Sequence, residues 1–209
     1  MNRTAALTGP TDIRPRLASS AALSPAETVA AGIAAAATVA FAAYGLTTGA
    51  PSTVGYLLTV AVLAAVLGAL RRSPLPGPVA VGLALLVAAH LAGGLVPVGH
   101  DVLYNAALGW RGARYDHLVH GSAIFLGTIV LWSTVLEPAA PAWGPSLVAV
   151  CVLAALGLGA LNEMVEFLTT LAHQGSHVGG YANTGWDLVS NTVGGIGAGL
   201  FLRRARAMP

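Results

Sequence analysis

The chain has no lysine, a single cysteine and little charge of either sign. Its ten basic residues are all arginine, set against eight acidic ones, and only 9% of the 209 residues are charged. One thiol excludes a disulfide-stapled secreted fold, which needs cysteines in pairs. Cys151 sits inside an apolar run and reads as inert packing. High apolar content excludes disorder and nucleic-acid binding as the main activity. What is abundant is apolar: 56% of the residues, with a mean hydropathy of +0.74. Such a chain lives in a membrane. Arginine without lysine, beside heavy use of Ala, Gly, Val and Leu, is what GC-rich coding produces, and the expected location is a bacterial inner membrane.

A membrane-crossing helix needs roughly 20 mainly apolar residues. Six runs meet that length, at approximately 26–48, 52–70, 77–97, 117–136, 145–168 and 185–202. They are separated by Gly/Pro breaks such as Gly49-Ala50-Pro51, Pro74-Leu75-Pro76 and the stretch from Pro138 to Pro145. The expected fold is therefore all-α, a bundle of six transmembrane helices over residues 26–205, preceded by a flexible polar tail over 1–25. Short cytoplasmic segments retain positive charge. With both ends inside, Arg3, Arg14, Arg16, Arg71, Arg72, Arg203, Arg204 and Arg206 are cytoplasmic, and only Arg111 and Arg114 lie outside. Tyr104, Trp110, Tyr115, Tyr181 and Trp186 then fall at the outer boundary, where amphipathic rings settle.

Charged groups at membrane depth cost about 2.5 to 3.5 kcal/mol each on insertion scales, so their positions carry the information. Asp116, His117 and His120 open the fourth run, Glu163 and Glu166 lie in the outer half of the fifth, and Asp187 and Asn191 open the sixth. Asp116 and His120 are four apart, Glu163 and Glu166 three apart, Asp187 and Asn191 four apart, so each pair shares a helix face. Consecutive antiparallel helices with short connections are usually neighbours, which brings three polar faces to one depth near the external surface.

Four carboxylates that close cannot all stay ionised without compensation. The compensation is a divalent metal, a set of shared protons, or Arg111 and Arg114 folding down from the preceding loop. Carboxylate and imidazole donors suit zinc, manganese or iron. On the metal reading Asp116, His117, His120 and Glu163 are the ligands, with Glu166 and Asp187 as the catalytic carboxylates and Asn183, Asn191, His90 and Arg114 lining the site. A purely structural interhelical polar network is the competing reading. His100, Asp101, His173 and His177 are expected in outer loops facing water. Gly195 and Gly199, four apart on the last run, read as close helix packing of the small-xxx-small type.

The segments Tyr115-Asp116-His117-Leu118-Val119-His120-Gly121, Asn162-Glu163-Met164-Val165-Glu166-Phe167 and Asn183-Thr184-Gly185-Trp186-Asp187-Leu188 followed by Gly194 resemble the YjdF family of bacterial inner-membrane proteins, itself distantly similar to VanZ-like proteins. The resemblance spans roughly residues 50 to 205 and implies the same six-helix layout, with Asp116, His120, Glu163, Glu166 and Asp187 matching its motifs. Phe167 stands where the family has Trp, Asn183 where it tends to Asp, and Gly180 in place of another acid. The resemblance names no reaction.

Three functional readings follow. The first is a membrane-embedded enzyme acting on a lipid or lipid-linked substrate at the outer leaflet, with Glu166 moving the proton. The second is a non-catalytic membrane component held together by the polar cluster. The third is a small transporter, disfavoured because the inner halves of the last three runs are almost wholly apolar. Oligomeric state is not legible in the residues.

Overall fold

A computed structural model of the chain describes residues 22–70, 74–109, 112–137, 144–172 and 180–205. Most of the expected tail, most of the orienting arginines, Trp110, Arg111, His173 and His177 lie outside these residues. Six long helices appear: α1 (Pro25–Thr48), α2 (Thr53–Leu70), α3 (Gly77–Leu95), α4 (Tyr115–Leu131, continuing through a π turn at Trp132–Leu136), α5 (Gly144–Ala172) and α6 (Tyr181–Ala205). Each covers one of the six apolar runs to within a few residues, so the all-α expectation holds. One small addition is a hairpin, β1 (Pro97–Val98) against β2 (Asp101–Val102). Its turn runs through Gly99 at φ +62°, a left-handed conformation that glycine adopts without a Cβ clash.

Local signals explain the helix ends. Ser24 caps α1 by accepting from the Glu27 backbone N–H, while Glu27 reaches back to the Ser24 N–H at 2.8 Å. This is a reciprocal cap of two otherwise orphaned donors. The other Glu27 oxygen accepts from the Leu75 N–H at 3.0 Å, which pins the start of α1 to the connection before α3. Gly49 ends α1 in the left-handed conformation at φ +68°.

Five of the six helices, α1 to α5, are long and apolar enough to cross a membrane. The sixth is long enough but is not among them. Its first three turns carry Asn183, Asp187 and Asn191, all buried, and its last turn carries Arg203 and Arg204. Asn183, Asp187 and Asn191 thus face inward, while Arg203 and Arg204 are exposed.

Glycine sets how closely those three helices pack. A Cβ at Gly194 would stand 2.5 Å from the Gly121 carbonyl of α4, and one at Gly195 would stand 2.5 Å from Ala155 Cβ of α5. At Gly199 it would stand 2.8 Å from Val148 Cα. The small-xxx-small pair Gly195 and Gly199 thus serves the close approach of α6 to α5, and Gly194 serves its approach to α4. The contacts also give direction. On α4 and α6, Asp116 meets Asn183, Gly121 meets Gly194 and Phe125 meets Phe201, so the two helices run parallel. On α5 and α6, Gly159 meets Asn191 and Val148 meets Gly199, so these are antiparallel. Toward the end of the bundle remote from Asp116, a core of Val79, Leu126, Ile129, Trp132, Leu147, Cys151 and Leu202 closes the packing.

Candidate carboxylate and imidazole site

His120, one turn into α4, stands among carboxylates from three helices. Its Nε2 lies 3.2 Å from Glu166 Oε1 and 3.4 Å from Asp116 Oδ1. Its Nδ1 lies 3.6 Å from Asp187 Oδ1 and 3.8 Å from Glu163 Oε1. The juxtaposition expected from helical spacing is therefore present: Asp116 and His120 from α4, Glu163 and Glu166 from α5, Asp187 from α6. Asp187 is wholly buried, and the other four keep slight exposure.

Each carboxylate is oriented by a neutral donor. Asn183, one turn before Asp187 on α6, donates through Nδ2 to Asp187 Oδ2 at 2.8 Å and to Asp116 Oδ2 at 3.0 Å. Asn162 donates to Glu166 Oε1 at 2.6 Å along one turn of α5. Glu163 hydrogen-bonds the side chain of Thr184. In this way Asp187 Oδ1 and Glu163 Oε1 remain buried without a hydrogen-bond partner, both turned toward His120. Unpartnered buried carboxylate oxygens are costly, by about 1–3 kcal/mol or more each, unless a positive group serves them.

One ligand atom apiece from His120, Glu163, Glu166 and Asp187 can be chosen so that all lie within 4.8 Å of one another. A second trio, Asp116, His117 and Asp187, satisfies the same limit and shares Asp187. Four ligands at the roughly 2.0–2.2 Å bond lengths of zinc sites stand about 3.3–3.6 Å apart at tetrahedral angles. An ion takes one ring nitrogen of His120, and the carboxylates stand in two sets about that ring: Glu166 and Asp116 near Nε2, Asp187 and Glu163 near Nδ1.

His117 is bound differently. Its Nδ1 accepts from the Arg114 backbone N–H at 2.9 Å, which caps the first turn of α4, and its Nε2 lies 3.2 Å from Asn183 Oδ1. Its ring stacks on Trp186 with centroids 6.0 Å apart. Arg114 does not reach the carboxylates: its guanidinium donates to Asn105 Oδ1 at 2.9 Å in the connecting loop. The alternative in which this arginine folds down as the compensating cation is accordingly not what the geometry shows, and Arg114 contributes its backbone instead.

His90 on α3 lies in an aromatic cluster. Its Nδ1 is 2.6 Å from the Tyr104 hydroxyl and its ring is edge-on to Tyr56. Burial, then the nearby Tyr56, Asp116, Tyr115 and Glu166, pushes the Tyr104 hydroxyl well above its ordinary range. The hydroxyl therefore keeps its proton and shares the short hydrogen bond with His90 Nδ1 as a neutral phenol. Tyr115 is tied to the Ala89 carbonyl at 3.1 Å. Tyr104 and Tyr115 thus pack beside the site, while Tyr181 is 96% exposed. His100 and Asp101 are exposed, as expected. Asn191, one turn inward of Asp187, is wholly buried with neither amide atom partnered, in space left by Gly159. Asn162, Thr184, Tyr56 and Tyr104 were not singled out as site residues. The one signal for the first was its place a turn before Glu166, and for the second a place three residues before Asp187.

A cleft of about 230 Å³ opens on this cluster, lined by Glu163, Glu166, Phe167, Thr170, Gly180, Tyr181 and Thr184. It is lined by residues of α5 and the start of α6, which supply both carboxylates and the aromatic rings of Phe167 and Tyr181. A polar group can meet the carboxylates there while an apolar one lies along the rings.

Compared with curated proteins and with solved structures, the chain matches none. A model of the family described as predicted membrane protein (DUF2238) matches residues 28–207, a span that takes in all six helices but the first turn of α1 and every site residue named above. The chain belongs to the DUF2238 family of predicted membrane proteins.

Proposed function

We propose that this integral membrane protein crosses a bacterial inner membrane six times with both ends inside, as its YjdF-like motifs and more distant VanZ-like kinship suggest, and that it holds a divalent ion for chemistry on a lipid or lipid-linked substrate. The supporting observation is the set of ligand atoms from His120, Glu163, Glu166 and Asp187, all within 4.8 Å of one another. Asp187 Oδ1 and Glu163 Oε1 in that set have no other partner. Zinc, manganese and iron all accept this donor chemistry.

Asp116 adds negative charge beside Glu166, at the Nε2 edge of His120. A bound ion of this kind supplies a water that is a nucleophile near neutral pH and a Lewis acid for a carbonyl or phosphoryl oxygen. Glu166 is the proton-transfer group, because it lines the cleft and Asn162 fixes its rotamer. Asp187 is wholly buried and neutralises the charge from beneath. The cleft suits an amphiphile, its polar group toward Glu163 and Glu166 and its apolar part along Phe167.

The test is elemental analysis of detergent-purified protein. A stoichiometric divalent metal is expected, lost in Glu163→Ala while the helical content and the elution volume stay unchanged. Wild-type protein that is fully folded and takes up no zinc, manganese or iron on addition would overturn the metal reading. The non-catalytic reading has one observation in its favour, the Asn183 amide that ties α4 to α6. It predicts that alanine at Glu163, Glu166 or Asp187 destroys folding.

A further inference from the structure

Two overlapping donor groups occupy the site, one around His120 and one comprising Asp116, His117 and Asp187. Together they hold four carboxylates and two imidazoles, an inventory that also serves paired metal ions in helical bundles. Hydrogen bonding separates the two groups. A histidine that binds a metal through one nitrogen carries its proton on the other and donates that proton to a carbonyl or carboxylate. At His117 the polarity is reversed: Nδ1 faces a backbone N–H, that of Arg114, at 2.9 Å. A backbone N–H cannot accept, so Nδ1 carries the lone pair and the ring proton sits on Nε2.

Asn183 gives the same answer independently. Its Nδ2 must face the two acceptors Asp116 Oδ2 and Asp187 Oδ2, at 3.0 and 2.8 Å, so its Oδ1 faces His117 Nε2 at 3.2 Å. An amide oxygen there requires an N–H donor. Both ring nitrogens of His117 are thereby engaged, and neither offers a lone pair to the cavity. His120 has no such constraint: the ion pairs of its ring among the described residues all run to carboxylate oxygens, which accept and leave a ring lone pair free.

We propose that the site takes one divalent ion and not two, bound by the His120 group, and that His117 is a positioning residue. The inference rests on the metal reading above and deepens it. The chain from the Arg114 N–H through His117 and Asn183 ends on the Oδ2 atoms of Asp116 and Asp187 and leaves both Oδ1 atoms toward His120. The second observation that points to a cation is Asp187 Oδ1, fully buried and without a hydrogen-bond partner.

The experiment is a titration of metal-stripped full-length protein in detergent with Mn²⁺, read by bound metal per chain and by electron paramagnetic resonance. Wild type is expected to bind one equivalent and to give the spectrum of an isolated ion. His120→Gln abolishes binding. His117→Gln keeps a donor toward Asn183 and retains the single equivalent, with affinity weakened about 10- to 100-fold, the usual cost of losing an outer-shell partner. Two equivalents in wild type, a spin-coupled pair spectrum, or loss of one of two ions in His117→Gln would overturn the proposal. The wild-type spectrum decides the matter even where a variant fails to fold. Zero equivalents in folded wild type would instead overturn the parent reading, so the two failures are distinct.

Discussion

At the scale of single residues, the site rests on buried charge and on the neutral side chains that orient it. Aspartate, glutamate and histidine at membrane depth are expensive enough to announce themselves. Asn162 and Thr184 are neutral, cost far less to bury, and look like ordinary helix residues until Glu166 and Glu163 are found beside them. His117 shows the opposite limit. Its identity and spacing mark it as a ligand, and only the direction of the Arg114 N–H shows that its lone pair is already used. Tyr104 offers a test in the aromatic cluster beside the carboxylates. Its hydroxyl is held above the ordinary range by burial, so the folded chain keeps that proton as pH rises past about 10, where an unfolded tyrosine loses it. The unfolded state then binds fewer protons than the folded one, and stability falls with pH. Wild-type protein should accordingly lose thermal stability above pH 10 more steeply than Tyr104→Phe, measured as the midpoint of unfolding in detergent across that range. Equal slopes would show that Tyr104 titrates normally.

Among the elements, α6 carries the most consequence. Its run was recognisable from length and glycine content, and its ends at Tyr181 and Ala205 extend the expected 185–202 by a turn at the start and most of one at the end. What hydropathy could not convey is that Asn183, Asp187 and Asn191 are buried against protein, since an average over a window ignores direction. The small residues make that burial feasible. Gly194 admits the Gly121 carbonyl and Gly195 admits Ala155, so a methyl at either forces backbones apart. Gly194→Ala should lower stability by about 1–3 kcal/mol, the usual cost of overpacking. It should also loosen the site, because Asn183 holds Asp116 across the same α4–α6 interface. Thermal unfolding with and without added Mn²⁺ would check both parts, and an unchanged midpoint would show that the helices can separate at no cost. Gly185 borders open space, and Gly185→Ala is the matched control, expected to be neutral.

For the whole molecule, the sequence was sufficient for helix number, approximate bounds and the convergence of three polar faces, because each rests on a strong signal: an apolar run, a Gly/Pro break, or a charge where charge is costly. It was insufficient for the hairpin at Pro97–Val102, which is too short to show a period, and for the aromatic packing of Tyr56, His90 and Tyr104. That cluster depends on contacts among residues far apart in the chain. Orientation can be tested with the native thiol left in place, since Cys151 is fully buried and should stay silent. Val98→Cys in the exposed hairpin should react with a membrane-impermeant maleimide in intact cells, and Leu23→Cys, exposed beside the start of α1, only after permeabilisation. The reverse pattern would invert the proposed topology.

The inward-facing polar stripe of α6 bears on biogenesis. A helix whose Asn183, Asp187 and Asn191 would be intolerable to hydrocarbon has nowhere to settle until α4 and α5, which precede it in the chain, stand ready as a polar-lined cradle. Glu163 and Asp116, in turn, gain Thr184 and Asn183 only when it arrives. Docking of this helix would then complete the site in a single late step, and a nascent chain stalled before Tyr181 would present its carboxylates unassembled to the quality-control machinery of the membrane.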